Sequence, residues 1–461
     1  MRFLTPAAIA AALLAPSLAQ AQTGAFAGDW YGALNAGGGQ VPLVIHVAAD
    51  GGASVDSPAQ HAVGLAAAAT VADGKLSVTL KAVPAGFQGA LSADGKTLVG
   101  EWIQGGVRLP LTLSHTAPAA APAPKRPQTP QPPFPYRAEE VAYVNPASGL
   151  RLAGTLTLPP GAGPFPAVVL ITGSGQQDRD ETFFDHKPFW VIADALTRRG
   201  VAVLRVDDRG VGGSQAGDLA RATTSQFATD VAAGVAFLRA RGDIDPDRIG
   251  LIGHSEGGQI APMVAAKDPR VAFLVLMAGP AIDGLELLVA QNRAIAEASG
   301  ASAGEVAAML KTKRAWFEAA RDARDDDDAR TRLSAVLDQQ GVPAGAPQRA
   351  AVLALAVPWW REFLKSHPAE VLKTVQVPVL ALNGAKDTQV PAAANLAATR
   401  QALSGHKDVE IVALPGLNHL FQTAGTGLPD EYGKIEQTLA PEALTRIVDW
   451  TVAHAAKRAA R

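Results

Sequence analysis

The segment Ile249–Gly258 constrains the chain most. Ile249-Gly250-Leu251-Ile252 runs without a spacer into Gly253-His254-Ser255-Glu256-Gly257-Gly258. The first part reads as a buried strand, and Gly258–Ala266 as a helix. A strand that enters a helix through so few residues must turn sharply. Glycines at 253 and 257 leave room for that turn and put Ser255 at its apex in a strained conformation. In an open α/β sheet, such a turn lies at the carboxyl end of a strand.

The flanking pattern supports this placement. Strands are predicted at Leu152–Leu158, Ala167–Thr172, Val201–Val206, Val271–Met277, Val379–Leu382 and Val409–Ala413. Helices are predicted at Pro188–Arg199, Ser225–Arg241, Ala392–Leu403 and Glu442–His454. Apolar strands alternating with helices give a mainly parallel sheet covered on both faces. The alternation stops between Pro280 and Pro368, where Leu285–Ser299, Ala303–Asp322 and Thr331–Leu337 are helical in period. An insertion there, over about 281–368, would form a helical cap above the carboxyl ends of the strands. Its acidic run, Asp325–Asp328, reads as a solvated helix end or loop rather than a cation site.

The first quarter of the chain has a different rhythm. From Phe26 to about Ser114, short runs rich in Val, Leu and Thr (Val41–Val47, Lys75–Lys81, Leu98–Ile103, Val107–Leu113) are separated by Asp50-Gly51-Gly52, Asp73-Gly74 and Asp94-Gly95. Asp-Gly between strand-like runs signals hairpins, which predicts a small antiparallel barrel or sandwich. Trp30, Tyr31 and Trp102 read as core aromatics in preference to a sugar-binding platform. Ala117–Pro135 is dense in Pro and Ala and reads as a stiff linker. At the start, Met1-Arg2, the apolar run Ala7–Leu14 and Ala19-Gln20-Ala21 form the three-part pattern of a cleavable signal peptide. The expected organisation is a signal peptide (1–21), an all-β domain (22–116), a linker (117–136) and an α/β domain (137–461). A mature chain beginning near Gln22 would be periplasmic or secreted. No later apolar stretch is long enough for membrane insertion.

Composition removes several function classes. Hydrophobic residues are 48% and charged residues 18% of 461, enough for large cores. A net charge of -2 carries no basic footprint for nucleic acid. The absence of cysteine excludes disulfides, thiolate catalysis and Cys-ligated metals.

A serine hydroxyl needs a base, and in a strand–turn–helix setting the acid and then the histidine follow it in the chain. His419, in Leu414-Pro415-Gly416-Leu417-Asn418-His419, follows the strand Val409–Ala413 and falls on a carboxyl-end loop. His367, His406 and His454 read as surface residues, and His254 as support beside the serine. Asp387 closes Val379-Leu380-Ala381-Leu382-Asn383-Gly384-Ala385-Lys386-Asp387, one strand earlier, and is placed to orient His419. Oxyanion donors are expected from the Glu256 N–H at the helix start and the Ser174 N–H in Thr172-Gly173-Ser174-Gly175-Gln176-Gln177. No Gly-Lys-Ser/Thr follows that loop, so it is not a nucleotide cradle. Asp207-Asp208-Arg209 reads as a structural loop with its charge paired to Arg209 rather than as a metal site.

Gly-His-Ser-Glu-Gly-Gly, Asp-Asp-Arg-Gly-Val-Gly-Gly-Ser, Leu-Asn-Gly-Ala-Lys-Asp, Gly-Leu-Asn-His-Leu-Phe-Gln and Thr-Gly-Ser-Gly-Gln-Gln-Asp-Arg-Asp-Glu-Thr together resemble bacterial secreted α/β-hydrolases of the serine aminopeptidase and dienelactone-hydrolase-like group. The resemblance runs from roughly Glu139 to the C-terminus. It implies an α/β-hydrolase fold, the triad Ser255, Asp387 and His419, and Ser174 and Glu256 as oxyanion donors. Thr172 departs from it, standing where many relatives have a His-Gly pair. The expected activity is hydrolysis of a carboxylic ester through an acyl-enzyme, without metal or organic cofactor. The alternatives are a peptidase or amidase using the same residues, and a non-enzymatic ligand-binding protein. The partner is a small-molecule ester or amide; neither its acyl group nor the oligomeric state is legible. Trp359, Trp360 and Phe363, near the cap's end, read either as the lining of an acyl or aromatic pocket or as simple core packing.

Overall fold

The computed structural model describes residues 24–36, 39–57, 62–80, 85–104, 107–117 and 125–456. The segment read as a signal peptide, 1–21, lies outside them, as do 118–124 of the expected linker. The chain divides into two compact units: the N-terminal residues through Ala123 together with Gly341–Val352, and the remainder.

The first unit is a closed antiparallel barrel of eight consecutive strands: β1 (Gly28–Ala36), β2 (Gly39–Val47), β3 (Gly52–Ser57), β4 (Ala62–Ala72), β5 (Lys75–Leu80), β6 (Ala85–Leu91), β7 (Thr97–Gln104) and β8 (Val107–Ser114). Closure pairs Tyr31 of β1 with Ser114 of β8 and leaves no open edge. Alternate residues point inward, as in the exposed–buried alternation of Lys75–Leu80. Trp30 and Trp102 are buried in this core with Phe87, Leu98 and Leu113, so both serve packing. Trp30 also donates its indole N–H to the Phe26 carbonyl at 2.8 Å.

The second unit is built on an eight-stranded sheet. Its strands are β9 (Arg137–Val144), β10 (Arg151–Leu158), β11 (Phe165–Ile171), β12 (Ala202–Val206), β13 (Ile244–His254), β14 (Leu274–Met277), β15 (Val379–Gly384) and β16 (Val409–Leu414), in the order 16-15-14-13-11-12-10-9. From β16 to β12 every pair is parallel; β10 runs antiparallel to both β12 and β9. Each central strand feeds two cores. Ala167, Val169 and Ile171 pack on one face with α2 (Thr224–Arg239), α3 (Glu256–Ala265) and α10 (Ala392–Ala402). Val168 and Leu170 pack on the other with α1 (Pro188–Arg198) and α11 (Pro441–Ala455). That two-sided burial makes the strands continuously apolar.

Between β14 and β15 lie α4 (Gly284–Ala298), α5 (Ala303–Arg321), α6 (Asp326–Gln339), α7 (Pro347–Leu353), α8 (Pro358–Leu364) and α9 (Pro368–Leu372). The acidic run forms the start of α6, which begins five residues earlier than its apolar period indicates. Asp325 caps the helix by accepting from the Asp328 N–H, and Asp328 accepts from Arg324 and Arg332. Carboxylates at a helix start face its positive end. No cluster of three potential metal ligands occurs among the described residues.

Residues 125–136 of the expected linker fall within the second unit. This stretch is fastened to the second unit. The Arg126 guanidinium donates to the carbonyls of Phe184, Gly433 and Ile435, Gln128 pairs with Thr438 and Leu439, and the buried Tyr136 donates to Asp194. Side-chain anchors hold an extended segment that cannot build a core of its own. No described helix is long and apolar enough to cross a membrane.

Candidate active site

Ser255 stands between β13 and α3 with φ 53° and ψ -119°. A positive φ is costly for a serine, and the neighbouring contacts impose it. Its N–H donates to the Met277 carbonyl at the end of β14, and its carbonyl accepts from the Gly258 N–H. A Cβ at Gly253 would lie 2.0 Å from the Gly257 carbonyl oxygen, and one at Gly257 would lie 2.2 Å from the Ile171 carbonyl oxygen. Only glycine permits these approaches, which bring the turn against the end of β11.

His419 and Asp387 lie on the loops after β16 and β15, at the same carboxyl edge. His419 Nδ1 is 2.8 Å from Asp387 Oδ2, and both residues are buried. The other Asp387 oxygen accepts from the Gln389 and Val390 N–H groups at 2.8 Å, which fixes the carboxylate plane. No hydrogen bond joins the Ser255 hydroxyl to His419 in this conformation. The two residues are linked through His254, whose Nε2 meets the His419 carbonyl at 3.1 Å. His406 precedes β16, at the opposite edge; His367 pairs with Asp283 at the surface, and His454 stacks on Trp450.

Ser174 is exposed on the loop after β11, and Glu256 is the first residue of α3. The Glu256 carboxylate is buried. It accepts from the Thr224 hydroxyl at 2.5 Å and from the Trp359 indole of α8 at 2.9 Å. Burial pushes this carboxyl up, partly offset by those two bonds.

The loop after β12 also differs from its sequence reading. Asp207 pairs with Arg179 at 2.7 Å, whereas Arg209 pairs with Asp230. Among the described residues, Asp208 has no cation partner within ion-pair distance. It accepts from Thr172 Oγ1 at 2.8 Å and from the Gln177 N–H at 2.9 Å, and so holds both ends of the loop that carries Ser174. Burial pushes the Asp208 carboxyl up to about 8, with Glu181 and Glu256 adding like charge.

Glu181 was not singled out from sequence. It is buried, has φ 51°, and one of its oxygens accepts from both the Gly173 N–H at 2.8 Å and His254 Nδ1 at 2.9 Å. These partners lie 8 and 73 residues away in the chain. The only available signal was a carboxylate in a Gly-rich loop that also precedes the histidine beside the serine.

A cavity of about 520 Å³ opens beside this loop. Its lining includes the polar residues Ser174, Asp208 and Glu256 and the aromatic residues Phe227, Trp359 and Trp360. Two of the three aromatics singled out at the cap's end therefore face it; Phe363 is not part of the lining and stacks on Trp359.

The sheet order, the tight turn at Ser255 and the loops converging on it define the α/β-hydrolases. The chain belongs to the X-Pro dipeptidyl-peptidase (S15) family, whose model matches residues 148–419. Esterase EstD of Thermotoga maritima is 28% identical over 284 residues, covering 61% of this chain and 61% of EstD. YtaP of Bacillus subtilis is 30% identical over 145 residues, covering 28% of this chain and 48% of YtaP. The match thus spans less than two thirds of either curated relative. Among solved structures, Est1E of Butyrivibrio proteoclasticus with bound ferulic acid is 18% identical with a TM-score of 0.42, covering 68% of this chain and 100% of that one. The α/β-hydrolase GrgF from Penicillium sp. sh18 gives 18% and 0.43, covering 70% and 100%.

Proposed function

We propose that this protein is a serine hydrolase that cleaves carboxylic esters through an acyl-enzyme. The observation that carries the reading is the buried His419–Asp387 pair, 2.8 Å apart, at the sheet edge where Ser255 sits on its strained turn. With Nδ1 held by Asp387, Nε2 of His419 is the nitrogen that takes a proton. Ser255 Oγ attacks the ester carbonyl as His419 accepts its proton. The Ser174 and Glu256 N–H groups hold the oxyanion. Collapse expels the alcohol, protonated by His419, and water then releases the acid by the same route. Asp387 orients the imidazole and balances the charge it acquires.

The similarity to EstD supports an ester substrate, while the S15 family match keeps a peptidase in view with the same residues. Parallel kinetics on p-nitrophenyl acyl esters and on aminoacyl and X-prolyl p-nitroanilides separate the two. Ester turnover with anilide turnover at least a hundredfold lower supports the esterase; the reverse order assigns a peptidase. Export belongs to the same proposal and rests on the signal-peptide pattern at 1–21. Sequencing the N-terminus of periplasmic protein tests it, with a start near Gln22 expected.

A further inference from the structure

Both ring nitrogens of His254 face acceptors. Nδ1 lies 2.9 Å from Glu181 Oε1, and Nε2 lies 3.1 Å from the His419 carbonyl oxygen. A neutral imidazole has one N–H and could satisfy only one of them; an imidazolium satisfies both. The side chains of His254 and Glu181 are 5% and 2% exposed, so the charge is opposed by its partner rather than by water. The other groups facing the ring are the His419 imidazole, with centroids 4.8 Å apart, and the edge of Phe421; the Asp387 charge lies nearby. Burial works against the cation, but Glu181 and the His419 carbonyl outweigh it and raise the His254 pKa.

This pair touches the loops that carry Ser174 and His419 and adjoins the turn that carries Ser255. The Glu181 oxygen that binds His254 also accepts from the Gly173 N–H, one residue before Ser174. His254 precedes Ser255 and holds the backbone of His419. A Cβ built on Gly173 would come within 3.2 Å of Ser255 Cβ, so the oxyanion loop and the serine turn lie against each other. Resting on the serine-hydrolase reading above, we infer that Glu181 and a permanently protonated His254 are positioning residues that fix the spacing between the oxyanion donor, the nucleophile and the base. Neither moves a proton in turnover. Their effect is on geometry, where a displacement of about 1 Å can cost on the order of a hundredfold in rate.

The test compares wild type, Glu181→Gln, His254→Gln and the double variant on p-nitrophenyl butyrate. Fluorophosphonate labelling of Ser255 is followed in parallel, and 15N-histidine NMR is recorded on the wild type. Each single variant is expected to lower kcat and the labelling rate by about 10–100-fold with KM within about twofold. The double variant should be no worse than the poorer single one, because the two act as a unit. In wild-type protein, the His254 ring should carry two protons at neutral pH. Unchanged kcat in folded Glu181→Gln, independent multiplicative losses, or a neutral His254 ring would each overturn the inference; the NMR result decides even if a variant fails to fold. Wild type that takes no label at all would instead count against the serine-hydrolase reading.

Discussion

Asp387 divides its two carboxylate oxygens between tasks: Oδ2 meets His419 Nδ1 at 2.8 Å, and Oδ1 takes the N–H groups of Gln389 and Val390. The backbone bonds hold the carboxylate in place whether or not the imidazole is charged. Asp387→Asn can keep most of this geometry while presenting an N–H or a neutral oxygen to the ring. The expected result is a fall in kcat of roughly 10³–10⁴-fold with little loss of stability. Steady-state kinetics and a thermal melt check both parts.

The turn at Ser255 tolerates no side chain at its glycines. Gly257→Ala would force a Cβ into the Ile171 carbonyl oxygen, a backbone atom that cannot rotate away. Overpacking of this kind costs about 1–3 kcal/mol. The expected outcome is a lower urea midpoint accompanied by loss of ester turnover, since relief of the clash must shift the turn against β11.

Asp208 gives stability a pH signature. Its folded pKa, about 8, lies above the ordinary 3.8, so the folded state holds a proton that the unfolded chain releases. The stabilisation from this group is therefore full below about pH 4 and is lost as pH rises toward 8. Asp208→Asn keeps an oxygen for Thr172 or Gln177 and cannot ionise. Its stability relative to wild type should improve between pH 5 and pH 9, measured by chemical denaturation. A difference that stays constant with pH would contradict this assignment.

Trp360 lines the cavity and packs against Phe363 on α8. Trp360→Ala is expected to enlarge the pocket and shift preference toward longer or bulkier acyl groups by about tenfold in kcat/KM. An ester panel graded in acyl length reads this directly. Loss of stability with no change in preference would show that Trp360 only packs the cap.

Much of this architecture is legible in the chain because two-sided burial makes strands such as β11 and β15 apolar throughout. Edges are harder to see. Arg137–Val144 is an edge strand with alternating exposure, and its Glu139 and Glu140 hide the pattern. Ala62–Ala72 is mostly alanine, a weak strand former, and becomes a strand through its barrel neighbours. Among the site candidates, Ser255, His419 and Asp387 each follow or end a recognisable strand, so spacing alone singles them out. Glu181 and Asp208 become informative only through partners at 173, 254, 172 and 177, which the fold brings together and no local pattern marks.

The central claim is that Ser255 is the nucleophile, and intact-protein mass spectrometry after fluorophosphonate treatment tests it most directly. The account predicts a single adduct, mapped by peptide analysis to Ser255, that is absent with its ester turnover from a folded Ser255→Ala variant. A protein that takes no adduct, carries it on another residue, or keeps wild-type turnover as Ser255→Ala would contradict it.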